Sequence, residues 1–400
     1  MGEQTTEGPD HGVGGAFTDA LDTRLIGAGR RHNGSALAPV IWASSTFETA
    51  TVEEGRGMAL SVGATEFYSR YGNPTVNDFE EAIAELEGAE AGRAFGSGMG
   101  AVAAVVLGLC SRGDHVVAQR QLYAGTQMLL QAVCPRFGIE VTFVDGTDPE
   151  AWREAVQPGR TMLLLAETPA NPRLDIVDLV ALGAIKGPMK VVDSTFATPL
   201  GQRPLEHGCD LVVHSATKCL GGHNDVTLGV VAGSRELIDW IWGFAVLQGA
   251  VASPHEAAGG LRGLRTLGVR LRHQSDSAAH IAESLEPDER IAEVRYPGLA
   301  SHPQHELALR QMDLMGGLVT FDLAGGFEAG RHLVESTRIC RLATSLGGPE
   351  TLVTHPASTT HVNLLPEELE AAGIAPGTIR MSVGLEDPGD IVSDLLAALA

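Results

Sequence analysis

The sequence predicts an α/β fold: a large, mostly parallel sheet covered by helices, followed by a smaller α+β unit. Three observations predict it. Short apolar runs alternate with helical patterns from residue 77 to about residue 232, as in repeated strand–helix–strand units. Glycine is abundant (49 residues) and aromatic residues are few (5%), which suits many tight strand-to-helix turns. The texture then changes, and residues 270–400 read as helix, strands and a terminal helix. At 400 residues, 44% of them hydrophobic, the chain can bury a full core in two units. We place an N-terminal arm at 1–65, the large domain at 66–255 and the small domain at 256–400.

The elements follow in order. Residues 1–20 are expected to form a disordered or mobile arm. Asn77 is expected to cap a helix in which Phe79, Ala82, Ile83 and Leu86 recur at i, i+3, i+4 and i+7, with Gly88 ending it. Strands are expected at Gly92–Phe95, His115–Ala118, Ile139–Val144, Thr161–Ala166, Lys190–Asp193, Leu211–His214 and Leu228–Ala232. A long helical stretch near 235–268 leads into the second unit, where Leu318–Leu323 is a further strand.

Composition removes several function classes. The net charge of −22 disfavours a nucleic-acid or anionic-membrane surface. Cys110, Cys134, Cys209, Cys219 and Cys340 are scattered and form no C-x-x-C, which predicts reduced thiols in a cytoplasm rather than disulfides or a zinc knuckle. Met1–Gly15 lacks a charged-then-apolar signal pattern, and the apolar stretch Met99–Cys110 is too short to span a bilayer. The histidines at 214, 223, 255, 302, 305, 355 and 361 make no metal-binding spacing and read as structural. Neither a G-x-x-x-x-G-K-[ST] loop nor an early G-x-G-x-x-G unit is present, which disfavours a nucleotide P-loop and a dinucleotide dehydrogenase.

Lysine usage points to chemistry. Only Lys186, Lys190 and Lys218 occur among 28 basic residues. Lys186 and Lys190 lie in a polar connector, whereas Lys218 follows an apolar run in His214-Ser-Ala-Thr-Lys218. An amine in partly apolar surroundings can lose its proton and attack a carbonyl, which a guanidinium cannot. Lys218 is therefore a candidate Schiff-base lysine. Asp193 ends an expected buried strand one strand earlier, where parallel sheets gather their ligands. It serves either as a turn aspartate or as the acid that keeps a pyridinium nitrogen protonated, as carbanion chemistry on pyridoxal phosphate (PLP) requires. Gly96-Ser-Gly-Met-Gly100 opens a helix and is either a tight turn or a phosphate cradle, with Ser215 and Thr217 near enough to add hydroxyls. Tyr123 begins a helix at another strand end, as a core tyrosine or a ring stacked on a planar cofactor. Arg70, between Tyr68 and Tyr71, is a phosphate-binder candidate or a surface arginine. Arg380, on a late strand, suits a substrate carboxylate if it is not simply solvated.

Together these segments resemble the trans-sulfuration family of PLP-dependent enzymes of cysteine and methionine metabolism. The resemblance rests on Tyr68-Ser-Arg-Tyr-Gly-Asn-Pro-Thr75, Ser97-Gly-Met-Gly100, Glu167-Thr-Pro-Ala-Asn-Pro172, Val192-Asp-Ser-Thr195, His214-Ser-Ala-Thr-Lys218, Tyr296-Pro-Gly-Leu299 with Ser301-His-Pro303, and Ser345-Leu-Gly-Gly348 with His355-Pro-Ala-Ser358. It implies the type I PLP-dependent transferase fold (aspartate-aminotransferase type) and a homotetramer of two tight dimers. It implies that Lys218 holds PLP as a Schiff base and moves protons, that Asp193 pairs with the ring nitrogen and that Tyr123 stacks on the ring. Gly98, Met99, Ser215 and Thr217 would hold the phosphate, with Tyr68 and Arg70 reaching the neighbouring subunit's cofactor. Asn171, Ser345 and Arg380 would hold the substrate carboxylate or the cofactor's hydroxyl side.

The same resemblance implies γ-elimination from a sulfur amino acid, with γ-replacement if a nucleophile re-adds at Cγ. Departures from the pattern bear on the subtype. Cys219 stands where the family is aromatic and predicts looser packing beside Lys218. Gly125 stands where bacterial methionine γ-lyases carry cysteine, and Ala245 and Val246 where they carry Lys-Asp before Ser253-Pro-His255. Thr344 replaces the glutamate that cystathionine enzymes often place before Ser345, whereas His355–His361 also resembles O-acetylhomoserine sulfhydrylases. The apolar pair Ala245 and Val246, without a distal acid, favours an uncharged thioether, so the expected reaction is that of a methionine γ-lyase. Cystathionine γ-lyase, cystathionine γ-synthase and O-acetylhomoserine sulfhydrylase chemistry are the alternatives.

Overall fold

The computed structural model describes residues 20–360, 362, 367, 369 and 372–399. Seven strands, β1 (Ala91–Phe95), β2 (His115–Gln119), β3 (Glu140–Val144), β4 (Thr161–Glu167), β5 (Met189–Asp193), β6 (Leu211–His214) and β7 (Gly229–Gly233), form one sheet in the order β1-β7-β6-β5-β4-β2-β3. The pairs from β6 through β5, β4 and β2 to β3 are parallel. β7 runs antiparallel to both β6 and β1. The reason lies in the connection: residues 215–228 contain no helix, and a parallel return needs a crossover, usually helical.

Two expected helices are corrected by their caps. The first begins at Pro74, not after Asn77, because Asn73 accepts the Thr75 N–H (3.0 Å) and proline suits the first helical position. Asn77 lies inside this helix (Pro74–Glu87) and its amide bonds Glu80, while Gly88 ends it in the left-handed conformation (φ +69°). The stretch near 235–268 is two helices rather than one. Arg235–Gln248 stops at Gly249 (φ +90°), and a second helix starts at Pro254 behind the Ser253 cap and runs to Leu285.

The first sheet is buried on both faces. Helices Gly98–Leu109 and Arg235–Gln248 cover one face through Val105, Ile241 and Trp242. Helices Pro74–Glu87 and Pro254–Leu285 cover the other through Phe79, Ile83, Leu261 and Leu264. The remaining strands, β8 (Ile291–Arg295), β9 (Leu318–Leu323), β10 (Arg341–Leu342), β11 (Leu352–Thr354) and β12 (Thr378–Ser382), form a second sheet in the order β10-β11-β12-β9-β8. Helix Pro254–Leu285 belongs to both cores. Its Leu264, Leu267 and Leu271 pack under the first sheet, and its Ala278, Ile281 and Leu285 pack on the second.

Residues 1–19 of the expected arm lie outside the described residues, as does His361. Farther along the arm, helix Val52–Leu60 buries none of its side chains, and Val52 and Leu60 are exposed. All five cysteines are free and buried. Among the described residues, no helix is long and apolar enough to cross a membrane.

Candidate active site

β2, β4, β5 and β6 run parallel, so their C-terminal ends open on one edge, where Tyr123, Glu167, Asp193 and Lys218 follow or end a strand. A cavity of about 460 Å³ lies there, and β12 and the loop before β11 contribute Arg380 and Ser345 to its wall. Gly98, Met99, Asn171, Ser215 and Thr217 also line it. Tyr68 and Arg70 do not. Arg70 donates to the Val246 carbonyl (2.9 Å) and lies over the rings of Tyr68 and Tyr71, outside its own chain's cavity. Ala245 and Val246 are not wall residues either: they are buried in the core behind helix Gly98–Leu109, which corrects the expectation that they face the substrate.

Lys218 sits in the turn after β6, and its Nζ donates to Ser345 Oγ at 2.7 Å. Burial, helped by the Arg380 charge, lowers the amine to about 8. Its neighbour Cys219 does not loosen the packing. It is 3% exposed, because Gly347 closes against it; a Cβ at Gly347 would lie 2.7 Å from the Cys219 Sγ. Ser345 takes φ +79°, a conformation that costs free energy in a residue with a side chain. It is held there by Lys218 on its hydroxyl and by Arg380 Nη2 on its carbonyl (2.9 Å).

Arg380 is buried, not solvated. Its Nη1 donates to Asn171 Oδ1 (3.0 Å), while its Nε has no protein partner. Burial lowers it to about 10, which leaves it charged at neutral pH. Asp193 Oδ1 accepts the N–H (3.0 Å) and hydroxyl (2.5 Å) of Thr195, whose own oxygen accepts the Ser215 N–H (2.8 Å). Burial pushes the Asp193 carboxyl upward against those hydrogen bonds.

Two residues without an assigned role in the sequence prove central. Thr195 fixes Asp193. Glu167, the last residue of β4, accepts the N–H of Tyr123 (2.8 Å) on one oxygen and that of Asn171 (2.9 Å) on the other. Burial and the Asp193 charge raise it to about 8. The available signal was an acid closing an otherwise apolar strand run. Below the site, His214 bonds Glu87 (2.6 Å), both fully buried.

The lining fits a planar aldehyde that carries a phosphate and a basic ring nitrogen. The first N–H groups of helix Gly98–Leu109 have no intrahelical acceptor. A Cβ at Gly98 would lie 2.7 Å from the Ser215 Cβ, so glycine alone lets this turn close on Ser215. The Thr217 hydroxyl already donates to the Leu228 carbonyl (3.1 Å) and would have to exchange that bond to donate to a phosphate. Gly125 leaves room for the Tyr123 ring, whose Cε1 would lie 2.5 Å from any Cβ there. Among the described residues, no cluster of His, Cys, Asp or Glu could hold a metal ion.

The sequence profile of the Cys/Met metabolism PLP-dependent enzymes matches residues 22–400. The chain belongs to that family. PLP is therefore its cofactor. Among its relatives in the family, an L-methionine gamma-lyase of Fusobacterium nucleatum subsp. nucleatum is 44% identical over 382 residues, spanning 94% of this chain and 96% of the relative. The O-succinylhomoserine sulfhydrylase of Pseudomonas aeruginosa is 42% identical and spans 95% of each chain. The crystal structure of cystathionine gamma synthase from Xanthomonas oryzae pv. oryzae, in complex with aminoacrylate and cysteine, matches with a TM-score of 0.89 at 38% identity, covering 96% of this chain and 98% of that one.

Proposed function

We propose that the enzyme is a carbon–sulfur lyase that converts L-methionine and water to methanethiol, 2-oxobutyrate and ammonia. The charge pattern of the cavity carries the reading. Its wall holds an amine (Lys218) and a guanidinium (Arg380), and its acids, Glu167 and Asp193, both close strands of the first sheet. Thr344 stands on the wall where a distal acid would select a second amino group, so an uncharged thioether is the matched side chain. The Fusobacterium relative supports it.

Bound PLP supplies an electron sink for negative charge at Cα and Cβ. Arg380 would bind the substrate carboxylate, with Asn171 and Ser345 fixing the guanidinium plane. Lys218 would hold the cofactor covalently, and its Nζ would take the substrate's Cα proton. Its lowered basicity leaves it partly neutral near pH 7 and so able to accept that proton. Asp193, fixed by Thr195, would hold the proton on the ring nitrogen. The helix end at Gly98 and Met99, with the Ser215 and Thr217 hydroxyls, would take the phosphate, and Tyr123 would cover the ring.

The same reading includes an obligate dimer within a homotetramer. The exposed apolar side chains of 37–62 would be covered by a second copy, and that copy's cavity would receive Tyr68 and Arg70. It also includes a division near 255 into large and small domains, and a cytoplasmic site. The test is release of 2-oxobutyrate from L-methionine by the PLP-loaded enzyme with no added thiol; a folded, PLP-loaded protein that releases none sinks the proposal. A second reading, γ-replacement on an activated homoserine, is favoured by the near-equal identity to the sulfhydrylase. It predicts turnover of O-succinylhomoserine only when a thiol or sulfide is supplied.

A further inference from the structure

We propose that Glu167 is a positioning residue that couples the two arms of the site: one carboxyl group ties the backbone of Tyr123, on the cofactor side, to the backbone of Asn171, which orients Arg380. The inference rests on the cavity being a PLP-dependent amino-acid site, but not on which amino acid is cleaved.

Glu167 is 4% exposed and ends β4 in register with Asp193 on β5. Its backbone is clamped on both sides by the Gln119 amide, which accepts the Glu167 N–H (3.1 Å) and donates to the Glu167 carbonyl (2.8 Å). With the strand end held, the carboxyl oxygens diverge. Oε2 accepts from Tyr123 N at 2.8 Å and Oε1 from Asn171 N at 2.9 Å. From Asn171 the chain of bonds continues through Oδ1 to Arg380 Nη1 at 3.0 Å. A displacement at Arg380 therefore reaches Tyr123 through three hydrogen bonds and one rigid carboxyl group. Both carboxyl oxygens keep acceptor capacity in either protonation state, whereas an amide offers one acceptor oxygen and turns an NH₂ group toward the other N–H. Glutamine has the right size but cannot accept at both terminal atoms, where the two N–H groups meet separate oxygens.

The experiment compares the PLP-loaded protein with its Glu167→Gln variant. Glycine, an α-amino acid with no leaving group, is titrated while the absorbance of the bound cofactor is followed. PLP is separately titrated into each apoprotein. The variant is expected to keep a visible cofactor band, to bind glycine about tenfold more weakly, the equivalent of one buried hydrogen bond at the upper end of its range, and to bind PLP several-fold more weakly. A folded, yellow variant with glycine and PLP affinities within about twofold of the parent, less than a typical hydrogen-bond effect, overturns the proposal. If Glu167→Gln does not fold, Glu167→Asp replaces it. Aspartate retains the acid but is one methylene too short to reach both N–H groups, so the same weakening is expected and unchanged affinities overturn the proposal. A wild-type protein whose cofactor band ignores glycine would instead refute the amino-acid site itself.

Discussion

The two walls of the cavity are built by different means. The wall we assign to the cofactor is set by backbone. Asp193 ends a strand, and Gly98, Tyr123 and the turn Ser215–Lys218 follow strands within a few residues, so the sheet's edge places them. The wall we assign to the substrate is set by side chains. Asn171, Ser345 and Arg380 come from distant parts of the chain, and a buried guanidinium bonds the other two. A backbone-set wall loses the chemistry of the residue exchanged and little else. A wall of buried charged bonds loses its neighbours as well.

The largest expected break in this contrast is Lys218→Ala. Turnover should fall by at least about 10³-fold with loss of the covalent cofactor band, because the proposed nucleophile and proton carrier are one side chain. Little change in melting temperature is expected, since the turn is held by backbone; steady-state kinetics, absorbance and calorimetry check this. Arg380→Met tests the other wall. Removing one partner of buried, hydrogen-bonded charge contacts is expected to lower kcat/KM by about 30- to 5,000-fold, at ~2–5 kcal/mol. The cofactor band should persist, and an equal loss of cofactor would erase the contrast.

A pH measurement sharpens it further. The Lys218 amine is lowered to about 8 by burial first and by Arg380 second, and only the neutral amine attacks an aldehyde. Capture of PLP by apoprotein should therefore accelerate as pH rises toward 8 and level above it. A rate still climbing between pH 9 and 10 would mean an unperturbed lysine. In Arg380→Met the midpoint should move upward, which would show one wall tuning the other. The smallest effect is expected from Thr195→Val, which removes the hydroxyl bond to Asp193 and the acceptor of the Ser215 N–H and should weaken PLP binding by about 3–10-fold, or ~0.5–1.5 kcal/mol, as read by titration of the apoprotein.

The same contrast explains what could be read from sequence. The strand Leu211–His214 is found where an apolar run between turns places it, because burial on both faces writes a continuous signal. Lys218, Asp193 and Gly98 were legible for the same reason. Position relative to a strand end is local information. Glu167 acquired no role, because its meaning lies in N–H groups of two other segments. Ala245 and Val246 were misplaced because their helix turns them into the core, which no local pattern distinguishes from facing a ligand. The helix start at Pro74 was missed through a competing asparagine: Asn73 and Asn77 are both good caps, and only the proline after Asn73 decides between them.

Helix Pro254–Leu285 has one more implication. Because its first half completes one core and its second half another, a cut at either end of the helix does not leave two autonomous pieces. A break at its start strips the first sheet of one covering layer, while a break at its end strips the second of its own. Unfolding should therefore proceed as a single cooperative event, and neither sheet could be exchanged as a cassette with another protein unless this helix travelled with it.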